Sequence, residues 1–143
     1  MNKVGGYNIE DLQVGMSASV SKTVTEADII MFAGVSTDVN PAHIDEEYAK
    51  GTQFGGRIAH GMLSASFISA VLANKLPGAG TIYLGQTLKF KAPVRIGDTV
   101  TATVTVKEVV VEKRRCVLDA VCTVGGKTVI EGESTMYCTT DRA

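Results

Sequence analysis

The sequence predicts an α+β fold in which a curved antiparallel sheet wraps around a central buried helix. Three observations carry that prediction. Residues 61–75 hold Ser64, Ser66 and Ser69 as their only polar side chains before Asn74. A helix apolar on nearly every face is buried on nearly every face, and this one is too short to span a bilayer, so protein must enclose it. Downstream, Thr99–Val106 alternates threonine with apolar residues, the mark of a half-buried antiparallel strand. Finally, a helical, loop-rich first half precedes a strand-rich second half, which is the order of an α+β layout.

Each element has its own signal. Residues 17–24 read as a short strand. Thr25 offers a helix N-cap, and Asp28 three residues later completes a capping-box pattern. Ile29, Phe32, Ala33 and Val35 follow at helical spacing. The turn chemistry of Asp38-Val39-Asn40-Pro41 ends that helix near Ser36–Thr37, because proline pushes Asn40 out of the α region. A second short helix is predicted over Asp45–Lys50, with loops at Gly51 and Gly55–Gly56. Leu76-Pro77-Gly78 stops the apolar helix. Thr81–Ala92, Thr99–Val106, Cys116–Val124 and Thr128–Thr139 are the long strands, the last two joined by a tight turn at Gly125-Gly126-Lys127. Strands rolled round one helix make the shape called a hot-dog fold. Its open end and exposed strand edges favour pairing with a second copy, so a homodimer or higher homo-oligomer is expected.

Composition narrows the function. The 143 residues form one expected domain, 1–143. Lysine and arginine total 14 against 15 acidic residues, a net charge of -1, which excludes a simple electrostatic nucleic-acid binder. At 45% hydrophobic and 20% charged, the chain is not an acidic disordered tail. No stretch reads as a secretory signal or reaches the roughly 18 apolar residues of a membrane helix. Cys116, Cys122 and Cys138 are odd in number and lack metal-type spacing. They read as small buried hydrophobes in a reducing compartment, so a cytoplasmic location is expected, with no membrane, nucleic acid or metal as partner.

Histidine is the side chain suited to proton exchange near neutral pH, and the chain has two, His43 and His60. Asp38-Val39-Asn40-Pro41-Ala42-His43 places a carboxylate, an amide and an imidazole within six residues. On one straight helix Asp38 and His43 would diverge, but a bend at Pro41 lets both face one pocket, hold a water and move its protons. The competing reading makes Asp38 a helix-end residue, Asn40-Pro41 an ordinary turn and His43 part of the core. Asp45, Glu46 and Glu47 read as first-turn acids of the short helix. Arg57-Ile58-Ala59-His60-Gly61-Met62 puts His60-Gly61 at the start of the apolar helix, where free N–H groups favour developing negative charge on a substrate carbonyl. Alternatively Gly61 only permits close packing and His60 is a cap. The helix serines read as small packing residues. No Gly-x-Ser-x-Gly elbow, phosphate loop or dinucleotide fingerprint is present.

Three blocks, in order, resemble the MaoC-like, (R)-specific enoyl-CoA hydratases (hydratase 2). The stretch Asp38-Val39-Asn40-Pro41-Ala42-His43 is similar to that family's Asp-x-Asn-Pro-x-His motif. Arg57 to Leu63 resembles its His-Gly-Met helix start, and Tyr83 to Asp98 the strand and turn that follow. Ala42 stands where a larger aliphatic is common and Glu46 where proline is, departures that bear on pocket size and leave Asp38 and His43 in place. The resemblance implies reversible hydration of a trans-2-enoyl-CoA to an (R)-3-hydroxyacyl-CoA. It implies that Asp38 and His43 are catalytic and share one water, with Asp38 as base and His43 on the acid side. The thioester oxygen would sit against the Gly61 N–H, with His60 beside it as a substrate-binding residue; Asn40 would brace the loop, Ser69 would lie near the acyl pocket and Phe90 near the bound acyl-CoA. No metal or redox cofactor is implied, because coenzyme A is part of the substrate. Dehydration of (3R)-hydroxyacyl groups on acyl carrier protein is the same chemistry reversed. A thioesterase is disfavoured because residues 61–75 contain no Asp or Glu. A non-catalytic acyl-CoA-binding domain would need neither Asp38 nor His43.

Overall fold

In the computed structural model, which describes residues 1–141, six antiparallel strands form one sheet. They are β1 (Ser17–Thr23), β2 (Ile82–Gln86), β3 (Lys89–Phe90), β4 (Thr99–Val110), β5 (Arg115–Val124) and β6 (Lys127–Tyr137), ordered β1-β4-β5-β6-β2 with β3 also on β6. The helices are α1 (Glu26–Ser36), α2 (Pro41–Ile44), α3 (Glu46–Lys50) and α4 (Gly61–Asn74). The apolar helix α4 lies against β1, β4 and β5, and Ile68, Val71 and Leu72 pack with Val104 and Leu118 in the core. This is the hot-dog arrangement.

Local chemistry explains where each early element begins. Thr25 Oγ1 accepts the Asp28 N–H at 3.1 Å while the Asp28 carboxylate accepts the Thr25 N–H at 2.9 Å. That reciprocal box starts α1. Thr37, at φ 66, turns the chain into the left-handed region and ends it. Pro41 then opens α2 at its first position, with Asn40 Oδ1 accepting the Ala42 N–H at 3.0 Å. The sequence reads Asp38–Pro41 as a turn and predicts no helix before Asp45. Proline suits a first helical position because its missing N–H is not needed there, so the same residue both ends one element and starts the next. Asp45 caps α3 by accepting the Tyr48 N–H at 3.2 Å.

Two other expectations need correction. The single strand over Thr81–Ala92 is divided into β2 and β3, with a bulge between Tyr83 and Gly85. At the break the Thr87 hydroxyl, in place of a backbone carbonyl, accepts the Glu133 N–H at 3.0 Å. The crossing is close enough that a Cβ on Gly132 would overlap the Thr87 carbonyl oxygen. The helix α4 is not buried on nearly every face either. Leu63, Ser64, Ala65, Ile68, Val71 and Leu72 are buried, but Ser66 and Ala73 are exposed and Met62 is 54% exposed. The sheet curls over one side of the helix only.

All three cysteines are free and buried. Burial raises the Cys122 thiol to about 11, so it stays protonated near neutral pH. Among the described residues no helix is long and apolar enough to cross a membrane.

Candidate active site

A cavity of about 490 Å³ opens where α2, the start of α4 and the β3 region meet. Asp38, His43, His60 and Gly61 line one part, and Phe90, Pro93 and Ile130 another. Most of the wall is apolar; Asp38, His43 and His60 are polar members on one side, and Lys91 stands beside Phe90 on the other.

Asp38 is placed by its own loop. Its N–H donates to Ser36 Oγ at 3.1 Å, and its Oδ1 accepts the Asn40 N–H at 3.2 Å. Those bonds hold one carboxylate oxygen inward to the loop and leave Oδ2 4.0 Å from His43 Nε2. His43 is held from the opposite side. Its Nδ1 lies 2.8 Å from the Ile58 carbonyl oxygen. A carbonyl can only accept, so Nδ1 carries the proton and Nε2, in the neutral ring, presents a bare lone pair toward Asp38. Arg57 secures the same turn: Nε donates to the His43 carbonyl at 2.6 Å, and Nη1 pairs with Glu26 of α1 at 2.7 Å.

His60 is 1% exposed and fixed in the same way. Its Nε2 lies 2.9 Å from the Asp38 carbonyl oxygen, so Nε2 is the protonated nitrogen and Nδ1, which is buried without a partner, is an acceptor. The His60 ring stacks on His43 with centroids 3.9 Å apart, and Phe32 packs on it at 4.9 Å. His60 occupies the N-cap position of α4 yet makes no side-chain cap bond, so the capping reading of this residue does not hold.

Gly61 stands directly against Phe90: a Cβ there would be 2.6 Å from the nearest ring carbon. The first amides of α4 therefore reach the cavity beside an aromatic wall. Asn40 and Ser69 do not line the cavity. Asn40 acts on the backbone of α2, and Ser69 is partly buried elsewhere on α4. Ser64 does line the cavity, with its Oγ buried and unpaired. The residues alone do not separate the three helix serines, and the resemblance points to Ser69; the spacing of Ser64 from Gly61 by three residues, one helical turn, is the signal for the serine that lines the cavity.

Chemically, the site offers two proton acceptors facing each other, the Asp38 carboxylate and His43 Nε2. Their 4.0 Å separation is too long for a direct hydrogen bond and is about what one water donating to both can bridge. Asp38, His43 and His60 also form a set of donors within 4.8 Å of one another. That spread is wider than a cation with bonds of about 2.0–2.2 Å can close without ring movement.

Fold and site together define a hot-dog domain with an acid–imidazole pair at the mouth of its helix–sheet cavity. The chain belongs to the MaoC-like domain family, whose pattern matches residues 11–130. It is 63% identical over 130 residues to an (R)-specific enoyl-CoA hydratase of Rhodospirillum rubrum, covering 91% of this chain and 90% of that one. It is 47% identical to a 3-hydroxybutyryl-CoA dehydratase of Methylorubrum extorquens, covering 87% and 80%. Among solved structures, an (R)-hydratase of Pseudomonas aeruginosa superposes with a TM-score of 0.90 at 42% identity, covering 95% of this chain and 88% of that one.

Proposed function

We propose that this protein is an (R)-specific enoyl-CoA hydratase, a hydro-lyase that interconverts trans-2-enoyl-CoA and (R)-3-hydroxyacyl-CoA. The observation that carries the reading is the facing pair of acceptors, Asp38 Oδ2 and the bare Nε2 of His43, on the wall of an apolar cavity. A water donating one proton to each would direct a lone pair at C3 of the substrate. As the C3–O bond forms, one water proton passes to the pair, and the π electrons of the enoyl group move onto the thioester oxygen. The amides at Gly61 stabilise that enolate-like charge. The enolate then takes a proton at C2 and its electrons return. Because Nε2 begins unprotonated, His43 can donate at C2 only with a proton it has first received, so the pair ends the cycle as it began.

Coenzyme A enters as part of the substrate, and the scheme needs no metal or redox cofactor. The (R) product and the choice of coenzyme A over acyl carrier protein rest on the similarity to the two relatives. The protein is expected to work as a homodimer in the cytoplasm. Strand β2 ends the sheet order, and its Ile82 and Leu84 are exposed, which suits a second copy at that edge.

Hydration of crotonyl-CoA with chiral analysis of the product tests the reading. Formation of (R)-3-hydroxybutyryl-CoA is expected, with Asp38→Ala and His43→Ala each at least about a hundredfold slower, the scale of general acid–base catalysis. Near-normal turnover in both variants, or turnover only on carrier-protein thioesters, would overturn it.

A further inference from the structure

We propose that His60 is a positioning residue. By donating from Nε2 to the Asp38 carbonyl and stacking on His43, it fixes both reacting groups to the rigid start of α4. The catalytic part of this inference rests on the hydratase reading; the tether itself does not.

Asp38 is otherwise held from within its own loop. Its loop bonds are local: Asp38 N–H to Ser36 Oγ, Asn40 N–H to Asp38 Oδ1, Ala42 N–H to Asn40 Oδ1 and His43 N–H to the Asn40 carbonyl. Each joins residues within 36–43; the outside ties of that segment, from Ile58 and Arg57, fall on Ala42 and His43 and not on Asp38. Among the described residues, the 2.9 Å bond from His60 is the one hydrogen bond that ties Asp38–Asn40 to an element outside that segment.

The donor is itself enclosed. His60 is 1% exposed, lies between Phe32 and His43, and projects from the N-cap of the helix that fills the core. One ring therefore touches both members of the pair: it fixes the peptide that carries Asp38 through a hydrogen bond and the plane of His43 through a 3.9 Å stack. The 4.0 Å gap between Oδ2 and Nε2 depends on both contacts. Small misplacements of reacting groups are costly in rate, because productive geometry is narrow. His60 thus acts through Asp38 and His43 and not on the substrate, in contrast to the substrate-binding role that its place beside Gly61 suggested.

The tether can be read without turnover. The chain has two histidines, so long-range nitrogen–proton spectra of the imidazoles resolve both rings. The expected spectrum shows the proton of His60 on Nε2 and that of His43 on Nδ1, each ring as a single tautomer. Protonation of His60 at Nδ1, or averaging between tautomers, would overturn the proposal whether or not the protein hydrates crotonyl-CoA.

Kinetics then separate positioning from packing. His60→Phe keeps a flat ring for the stack and removes the donor; His60→Gln keeps an N–H donor. His60→Phe is expected to lower kcat on crotonyl-CoA about tenfold or more with KM within about threefold, and His60→Gln to recover part of kcat. Thermal melts show whether each variant is folded. A folded His60→Phe with kcat within twofold of the parent would overturn the proposal, as would a loss confined to KM. Should His60→Phe not fold, His60→Gln against His60→Ala gives the same comparison, and equal kcat in those two would overturn it.

Discussion

The loop that carries Asp38 and the first turn of α4 meet at one cavity but are built in opposite ways. Asp38 is half-exposed and held by short-range bonds, whereas His60 is sealed between two rings at the end of the core helix. The Asp38 carboxylate thus sits where solvent can reach it, and its backbone is tied to a ring that is almost wholly enclosed. The division teaches that a site residue can be identified by what it holds in place as well as by what it touches.

Cutting the ties between these regions should blunt the contrast. The largest effect beyond Asp38 and His43 themselves is expected from Arg57, which joins the His43 carbonyl to Glu26. Arg57→Ala should lower crotonyl-CoA turnover about tenfold and destabilise the fold by about 1–3 kcal/mol in urea unfolding, because it leaves a partly buried carbonyl without its charged donor. Arg57→Lys should not restore either, since one ammonium cannot reach both partners as the guanidinium fork does. Wild-type values for the lysine variant would show that charge alone suffices.

A smaller effect is expected at the rigid side. Gly61→Ala places a methyl group against Phe90, which must swing aside. A several-fold rise in KM should follow, and it should shrink when Phe90→Ala is added, with a coupling of about 1 kcal/mol between the two positions. An unchanged penalty in the double variant would assign the cost to the helix amide and not to the ring.

Ser64→Ala should be the mildest. Its hydroxyl is buried without a partner on the cavity wall, so removing it should leave melting temperature equal or slightly higher. It should also improve longer enoyl chains relative to crotonyl-CoA, because apolar carbon no longer has to cover a polar atom. A chain-length profile identical to the parent would remove Ser64 from the specificity account.

Much of the fold was legible because its signals are local. Thr25 and Asp28 announce α1 within four residues, and the alternation over Thr99–Val106 announces β4, which runs on to Val110 past a bulge. Asp38 and His43 were legible for the same reason, as one short motif that brackets a proline. What escaped depends on partners distant in sequence. His60 reads as a cap from its neighbours, but its environment is made by Phe32 and Asp38. The choice of Ser64 over Ser69 for the cavity follows from the rotation of α4 against the sheet, which the composition of the helix does not encode. The split of Thr81–Ala92 depends on Gly132, some forty residues further on, which admits the Thr87 carbonyl.

Both imidazoles take their tautomer from a peptide carbonyl, Ile58 for His43 and Asp38 for His60. No codon change can delete a peptide carbonyl. Whatever side chain position 58 carries, the fold supplies the same acceptor, provided the backbone path from Arg57 to His60 is kept. Half of the proton address system of this site is therefore inherited with the backbone. It can persist through sequence drift at position 58 and leave no trace there for a reader of the sequence to find.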